Sequence, residues 1–408
     1  MSTSHRSPAD SAARLSPLAA SRVRGIAPPF SRGVMERVAE MRRQGRDIIN
    51  FGSRGDTPQQ AKAAAVAMLQ SESAAGYTDA RGLAELRDAI AAKLQRDNGI
   101  VADPEREIVV SSGGMEGVFA TMQALVGPGD EVLVADPAWH GFRPMVQLAG
   151  ATPVLVPLDP DGYRLRIAVL REYLTPRTKL LILCNPANPT GVVLTRAELL
   201  QIAELACACN LLVLVDEAYE NFVYDGRQHI SLASLDGMRQ RTVTVQTVSK
   251  IYNMFGWRVG WVVAAPELIE AVLAVHAWSV GCPASFAQAG AAAVLRGTTA
   301  QGDRPIEDVV RRYQDQRDAM VRGLRGIPGV TCALPEGAYF AFPDFSAYRR
   351  SSEELCGHLL ESGGVATTPG AAFGATGEGH LRLVFNAPVA EIERGIARIA
   401  EVLAKIAD

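Results

Sequence analysis

The chain reads as an α/β protein: a parallel sheet with helices on both faces, followed by a smaller α+β layer. Three observations predict it. Apolar and β-branched runs at 180–184, 211–215 and 242–248 alternate with helical patterns such as 196–209, as strands joined by crossover helices do. The run at 211–215, Leu-Leu-Val-Leu-Val, is apolar throughout, which suits a strand covered on both faces. From residue 338 onward the strand and helix patterns shorten, marking a separate layer.

With 408 residues, 48% of them hydrophobic, the chain can bury a large core and form more than one domain. A formal net charge of -3 and the lack of a basic stripe argue against nucleic acid as the main partner. No apolar run has the length of a bilayer span. Residues 1–21 are rich in Ser, Ala and Arg without an apolar segment, so the expectation is a disordered lead-in, no secretory signal and a cytoplasmic location. Of six cysteines only Cys207 and Cys209 are close together; they are expected in a helical core as reduced thiols, with no metal site, because no second cluster matches them.

In chain order, Val34, Val38 and Met41 share one helical face that ends near Gly45, and 47–51 has the look of a short strand. Gly52-Ser53-Arg54-Gly55-Asp56 then breaks regularity, either for a close backbone approach to a ligand or as a plain surface turn. A helix over 58–71 precedes the loop holding Tyr77, and an amphipathic helix comes next through Leu83, Leu86, Ile90 and Leu94. The stretch 107–117 reads strand, Gly113-Gly114 turn, helix; that geometry can cradle a phosphate, although any tight turn also needs glycine. The strand at 131–134 runs toward Trp139, whose ring needs cover from either a planar cofactor or the core.

The strand at 180–184 leads into Asn185-Pro186-Ala187-Asn188-Pro189-Thr190-Gly191, where the prolines forbid regular structure and leave the Asn188 amide free to point inward. The strand at 211–215 ends in Asp216-Glu217, and that at 242–248 gives out at Lys250. In open α/β sheets ligands bind at the carboxyl ends of strands, so an Asn, an Asp and a Lys converge on one rim. Lysine is scarce in this chain, at Lys62, Lys93, Lys179, Lys250 and Lys405. The other four lie in helical patterns, before a strand or near the terminus and read as solvated cations; Lys250 reads as a catalytic amine. Later helices include one over 308–326 and one over 352–363, with strands at 338–342 and 380–385.

Together these motifs resemble the fold-type I pyridoxal-phosphate enzymes, specifically the class I/II aminotransferases related to aspartate aminotransferase. The pieces that carry the resemblance are Asn185-Pro-Ala-Asn-Pro-Thr-Gly191, Asp216-Glu-Ala-Tyr219, Ser249-Lys250 with Gly256-Trp-Arg258, Pro335-Glu-Gly-Ala-Tyr339 and His380-Leu-Arg382. It spans the chain from about Arg22 to the end. It implies a large domain over 58–300 with a mostly parallel seven-stranded sheet, and a smaller domain over 301–408 joined by 22–57.

By that resemblance Lys250 would carry pyridoxal 5′-phosphate as a Schiff base and shuttle the substrate proton, and Asp216 would pair with the ring nitrogen. Asn188 and Tyr219 would bond the ring's phenolic oxygen, and Trp139 would stack on the ring. The phosphate would be held by Gly113, Gly114, Met115, Thr247 and Arg258, with Tyr77 reaching it from a neighbouring subunit of a homodimer. Arg382, with Asn188, would bind the substrate's α-carboxylate, and the loop of Gly52 and Arg54 would lie near the substrate; His140, Tyr252 and Trp278 are further lining candidates.

The implied activity is transfer of an amino group between an L-amino acid and a 2-keto acid by ping-pong half-reactions. Two departures stand out: Met115 replaces a hydroxyl or lysine, and relatives commonly carry Gly-Glu-Pro-Asp where this chain has Gly52-Ser53-Arg54-Gly55-Asp56. The altered loop keeps a lyase, cyclase or oxidase on the same scaffold open as alternatives. A ligand-sensing regulator is disfavoured, since 1–21 is too short for a DNA-binding domain.

Overall fold

A computed structural model describes residues 19–24, 26, 30–52 and 55–407. The expected lead-in is thus outside the described residues up to 18, as are Ser53 and Arg54; Ser21–Arg24 forms one helical turn.

The main sheet has seven strands: β1 Ile108–Ser111, β2 Glu131–Asp136, β3 Thr152–Pro157, β4 Thr178–Cys184, β5 Leu212–Asp216, β6 Thr242–Thr247 and β7 Gly260–Val263. Their order is β1-β7-β6-β5-β4-β2-β3. Pairs among β2 to β6 are parallel, and β7 runs antiparallel to both β1 and β6. Alternate side chains feed opposite faces, as a pleated strand requires. Val132, Val134, Ile182 and Leu214 pack under the helices Gly114–Leu125 and Pro266–Ser279, whereas Leu133, Leu181, Val213 and Val215 pack under Arg196–Ala208.

A second, antiparallel sheet holds β8 Phe340–Ala341, β9 Thr368–Pro369 and β10 Leu381–Val384 in the order β8-β10-β9, flanked by the helices Ile306–Arg325, Ser352–Gly363 and Val389–Ala407. One hydrophobic cluster runs from Ile108, Val110 and Trp261 of the main sheet to Leu381, Leu383 and Leu403. The smaller layer is therefore packed directly onto the larger one.

Several expectations need correction. The stretch 47–51 is not a strand: it makes only isolated bridges, Ile49 to Val365 and, just beyond, Gly52 to Asn386. β3 and β7 are absent from the sequence reading. β3 carries Pro153 and Pro157, tolerated because it is an edge strand, and β7 is four residues long among glycines and helix-like flanks.

Cys207 and Cys209 are exposed and unpaired, because the buried face of their helix is made by Leu199, Ile202, Ala203, Leu205 and Ala206. Lys93 is no solvated cation. It is 3% exposed and pairs with Glu220, while also donating to Asn98 Oδ1 at 2.7 Å and Gln246 Oε1 at 3.3 Å. Among the described residues no helix is long and apolar enough to cross a membrane.

Candidate active site

The site forms at the carboxyl ends of β4, β5 and β6, where each strand hands over to a loop held by side chain to backbone bonds. After β6, Thr247 Oγ1 accepts from the Ser249 amide at 3.1 Å and donates to the Val259 carbonyl at 2.8 Å, which bends the chain into the turn that carries Lys250. The Lys250 carbonyl accepts from Asn253 N and from Gln301 Nε2, both at 3.1 Å. Its Nζ lies 5.5 Å from the Tyr219 ring centroid and 4.9 Å from that of Phe255. Burial lowers the amine to about 8; Asp216 opposes the shift, and the cations Arg382 and Arg258 add to it. An amine so placed is a nucleophile near neutral pH.

Asp216 closes β5 opposite Cys184 of β4. Its carbonyl accepts from Asn185 N at 3.0 Å and its Oδ1 from Ala218 N at 3.1 Å, so both backbone and carboxylate are fixed. Burial pushes the carboxyl up to about 6, against the pull of the Ala218 N–H and Lys250. Tyr219 is buried edge-on to Tyr339 at 5.2 Å and Phe340 at 5.3 Å, and burial raises its hydroxyl well above the ordinary value.

Opposite, Arg382 of β10 lies between the rings of Phe340 (4.6 Å) and Phe373 (4.8 Å). It donates through Nη1 to Asn188 Oδ1 at 3.0 Å and through Nη2 to Thr368 Oγ1 at 3.4 Å. Its Nε is buried without a partner. A desolvated guanidinium fork with one arm open suits an incoming carboxylate. Nearby, His140 has a buried Nδ1 without a partner, and burial followed by repulsion from Arg382 lowers its imidazole to about 4. Trp139 is half-buried and edge-on to Phe142 at 5.1 Å, so core packing covers part of the ring.

At the other end of the site, Gly113 has φ of 79° and caps the helix Gly114–Leu125, whose first turn includes Met115. Arg258, itself left-handed at φ 56°, donates to the Phe255 carbonyl at 3.0 Å and the Ser112 carbonyl at 3.3 Å. A Cβ at Gly113 would collide with that guanidinium, and one at Gly260 would stand 2.6 Å from Gly114 N. Only glycine lets these segments approach. The result is a cup of helix N-terminus, Arg258 and Thr247, with the chemistry of an anion site. The Met115 side chain is 54% exposed, so what it offers the cup is its backbone.

The contacts of the site join Lys250 to Asp216, Arg382 and Arg258, Arg382 to Asn188, Tyr219 and His140, and Arg258 to the turn of Ser112, Gly113 and Gly114, with Thr247 against Gly114 and Trp139 beside His140. Tyr77 and Trp278 do not reach the site within one chain, being 100% and 94% exposed, and Tyr252 is a buried core residue 5% exposed. Gly52 is held by its bridge to Asn386 and by its amide donating to Asn50 Oδ1 at 3.2 Å, whereas Arg54 lies outside the described residues.

The sequence reading missed the shell behind Asp216. Glu217 is 1% exposed and accepts from Ser231 Oγ at 2.8 Å and Gln246 Nε2 at 2.9 Å. Glu217, Glu220 and His229 approach one another as metal ligands would, but Lys93 stands against Glu220 as its cation. The adjacency of Glu217 to Asp216 was the available signal; Lys93, far off in sequence, gave none.

The chain is similar to known proteins over most of its length. The chain is 37% identical over 362 residues to the aspartate aminotransferase of Pyrococcus abyssi, covering 88% of this chain and 92% of the relative. It is 35% identical to the aromatic-amino-acid aminotransferase 2 of Thermococcus litoralis, over 85% of this chain and 89% of the relative. The solved aspartate aminotransferase of Rhizobium meliloti superposes with a TM-score of 0.87 at 33% identity, covering 95% of this chain and 98% of that one. The sequence profile of the family described as aminotransferase class I and II matches residues 46–399, and the chain belongs to that family.

Proposed function

We propose that this site moves an amino group between an L-amino acid and a 2-keto acid in two half-reactions, with Lys250 as both the cofactor-bearing amine and the proton carrier. The observation that carries the reading is the half-buried Lys250, whose amine is held down by desolvation and lies within electrostatic reach of Asp216 and of Arg382, itself bonded to Asn188. Pyridoxal 5′-phosphate, the cofactor of this family, supplies an electron-accepting ring that stabilises negative charge at the substrate's α-carbon.

The residues fit that group. The cup of Gly113, Gly114, Met115, Thr247 and Arg258 suits its phosphate, and the Asp216 carboxylate suits a protonated ring nitrogen. Asn188 and Tyr219 would bond its phenolic oxygen, and Trp139 would offer a ring face. Arg382 binds the substrate's α-carboxylate in a bidentate pair, orienting the α-hydrogen toward Lys250. Once the substrate's amine has replaced it on the cofactor, the freed Lys250 Nζ would accept that proton as a general base and hold it for return.

The same reading includes a homodimer: Tyr77, wholly exposed in one chain, would complete the partner's cup. It also keeps the cytoplasmic location and the division into a large domain over 58–300 and a small one over 301–408, joined by 22–57.

Titrating the cofactor-loaded protein with aspartate, glutamate and aromatic amino acids under air, with the products identified, tests the proposal. The expected result is a change in cofactor absorbance that a 2-keto acid reverses, and its loss together with turnover in Lys250→Ala. Turnover that needs no keto acid and releases ammonia or peroxide would refute it.

A further inference from the structure

We infer that the buried His276 and the half-buried Glu116 form a positioning element for the phosphate cup, gripping the turn of Ser112, Gly113 and Gly114. The inference rests on reading that cup as the site of the cofactor's phosphate. Two consecutive glycines make the turn able to approach an anion closely, yet they also leave it conformationally loose. Something else must hold it in place. Arg258 Nη2 donates to the Ser112 carbonyl at 3.3 Å, and Glu116 Oε2 accepts from the Ser112 amide at 3.0 Å, so the residue before the glycines is held at both ends.

Glu116 lies in the first turn of Gly114–Leu125, where a carboxylate favours the helix but repels an approaching phosphate. Its other oxygen, Oε1, lies 3.0 Å from His276 Nδ1. His276 is 0% exposed, on the helix Pro266–Ser279, and its Nε2 has no partner. A buried imidazole with one bond has no evident role in the core except this contact. By holding Oε1 it fixes the orientation of the carboxylate whose Oε2 accepts from the Ser112 amide. His276 and Glu116 touch neither substrate nor reacting atoms; they act through the backbone of the cup.

The test compares pyridoxal 5′-phosphate with pyridoxal, which lacks only the phosphate. Dissociation constants of both are measured by fluorescence on the full-length, cofactor-stripped protein, for the wild type, Glu116→Ala, Glu116→Gln, His276→Ala and His276→Gln. Loss of a buried hydrogen bond predicts that both alanine variants bind the phosphate form ~10- to 100-fold more weakly. Pyridoxal affinity should stay within about twofold, and the glutamine variants, which keep a bonding group in place, should recover most of the preference.

Equal weakening toward both ligands, or none toward either, overturns the inference. If an alanine variant fails to fold, the variant with leucine at both positions decides: a phosphate preference lost with pyridoxal binding intact supports the pair, and an unaltered preference overturns it. A wild type that binds the two ligands equally would refute the cup itself, a result distinct from failure of the pair.

Discussion

Arg382 Nη1 lies 3.0 Å from Asn188 Oδ1, yet the same guanidinium has a buried Nε without an acceptor. β10 of the small sheet and the loop after β4 of the large sheet thus meet in one hydrogen bond. A charge held this way between Phe340 and Phe373 is aimed but unpaired, and a substrate carboxylate would complete it.

Arg382→Leu should lower kcat/KM by roughly 30- to 1,000-fold, since losing one partner of a buried charge pair costs about 2–4 kcal/mol. Arg382→Lys should fall between, keeping the charge without the planar fork. Steady-state kinetics with the preferred amino acid decide; a loss below threefold would remove Arg382 from substrate binding.

Asp216 makes cofactor affinity depend on pH. Its folded-state value of about 6 exceeds the ordinary 3.8, so in cofactor-free protein the folded carboxyl keeps a proton that the unfolded chain has lost. Stability from this group is therefore greatest below pH 3.8 and declines as pH rises toward about 6. A cationic ring nitrogen needs the ionised form, so cofactor affinity should fall as the pH drops below about 6. Asp216→Asn should bind weakly with a flatter pH profile; an unchanged slope in equilibrium titrations would contradict this.

Lys93→Met should destabilise the cofactor-free protein by about 3–5 kcal/mol, because Glu220 would be left buried without its cation. Replacing Glu220 by Gln in the same chain should return part of that loss. Urea denaturation of the single and double variants measures both effects, and a destabilisation under about 1 kcal/mol would mean that water reaches the pair.

Gly260→Ala should weaken cofactor binding, since its Cβ would stand 2.6 Å from Gly114 N and 2.8 Å from the Gln246 carbonyl. Both contacts are backbone and cannot swing aside. Overpacking of this kind costs about 1–3 kcal/mol, and the displaced segment is the cup itself. Thermal melting with and without cofactor should show a smaller stabilisation by ligand than in the wild type; an equal one would show that the cup absorbs the methyl group.

Much of this architecture was legible along the chain. Strands β4, β5 and β6 stand out as apolar runs because they are buried on both faces, and their carboxyl ends bring Asn188, Asp216 and Lys250 to the same rim, as parallel geometry requires. The Gly113 turn and Arg258 were readable for the same local reason. β3 and β7 were not, since prolines at an edge and a four-residue antiparallel strand leave little periodicity to detect.

Local pattern reports how a segment folds and which face it buries, and that much belonged to the amino-acid order alone. Partners distant in the chain belonged to the tertiary structure. Lys93 looked like a surface cation until Glu220, 127 positions away, was packed against it. Arg382 was nameable from its motif, but its sandwich of Phe340 and Phe373 and its open Nε arise only when the small sheet closes on the large one. His276 reaches Glu116 across 160 positions for the same reason. Burial and pairing are properties of the packed assembly, in which desolvation decides what a charged group can do.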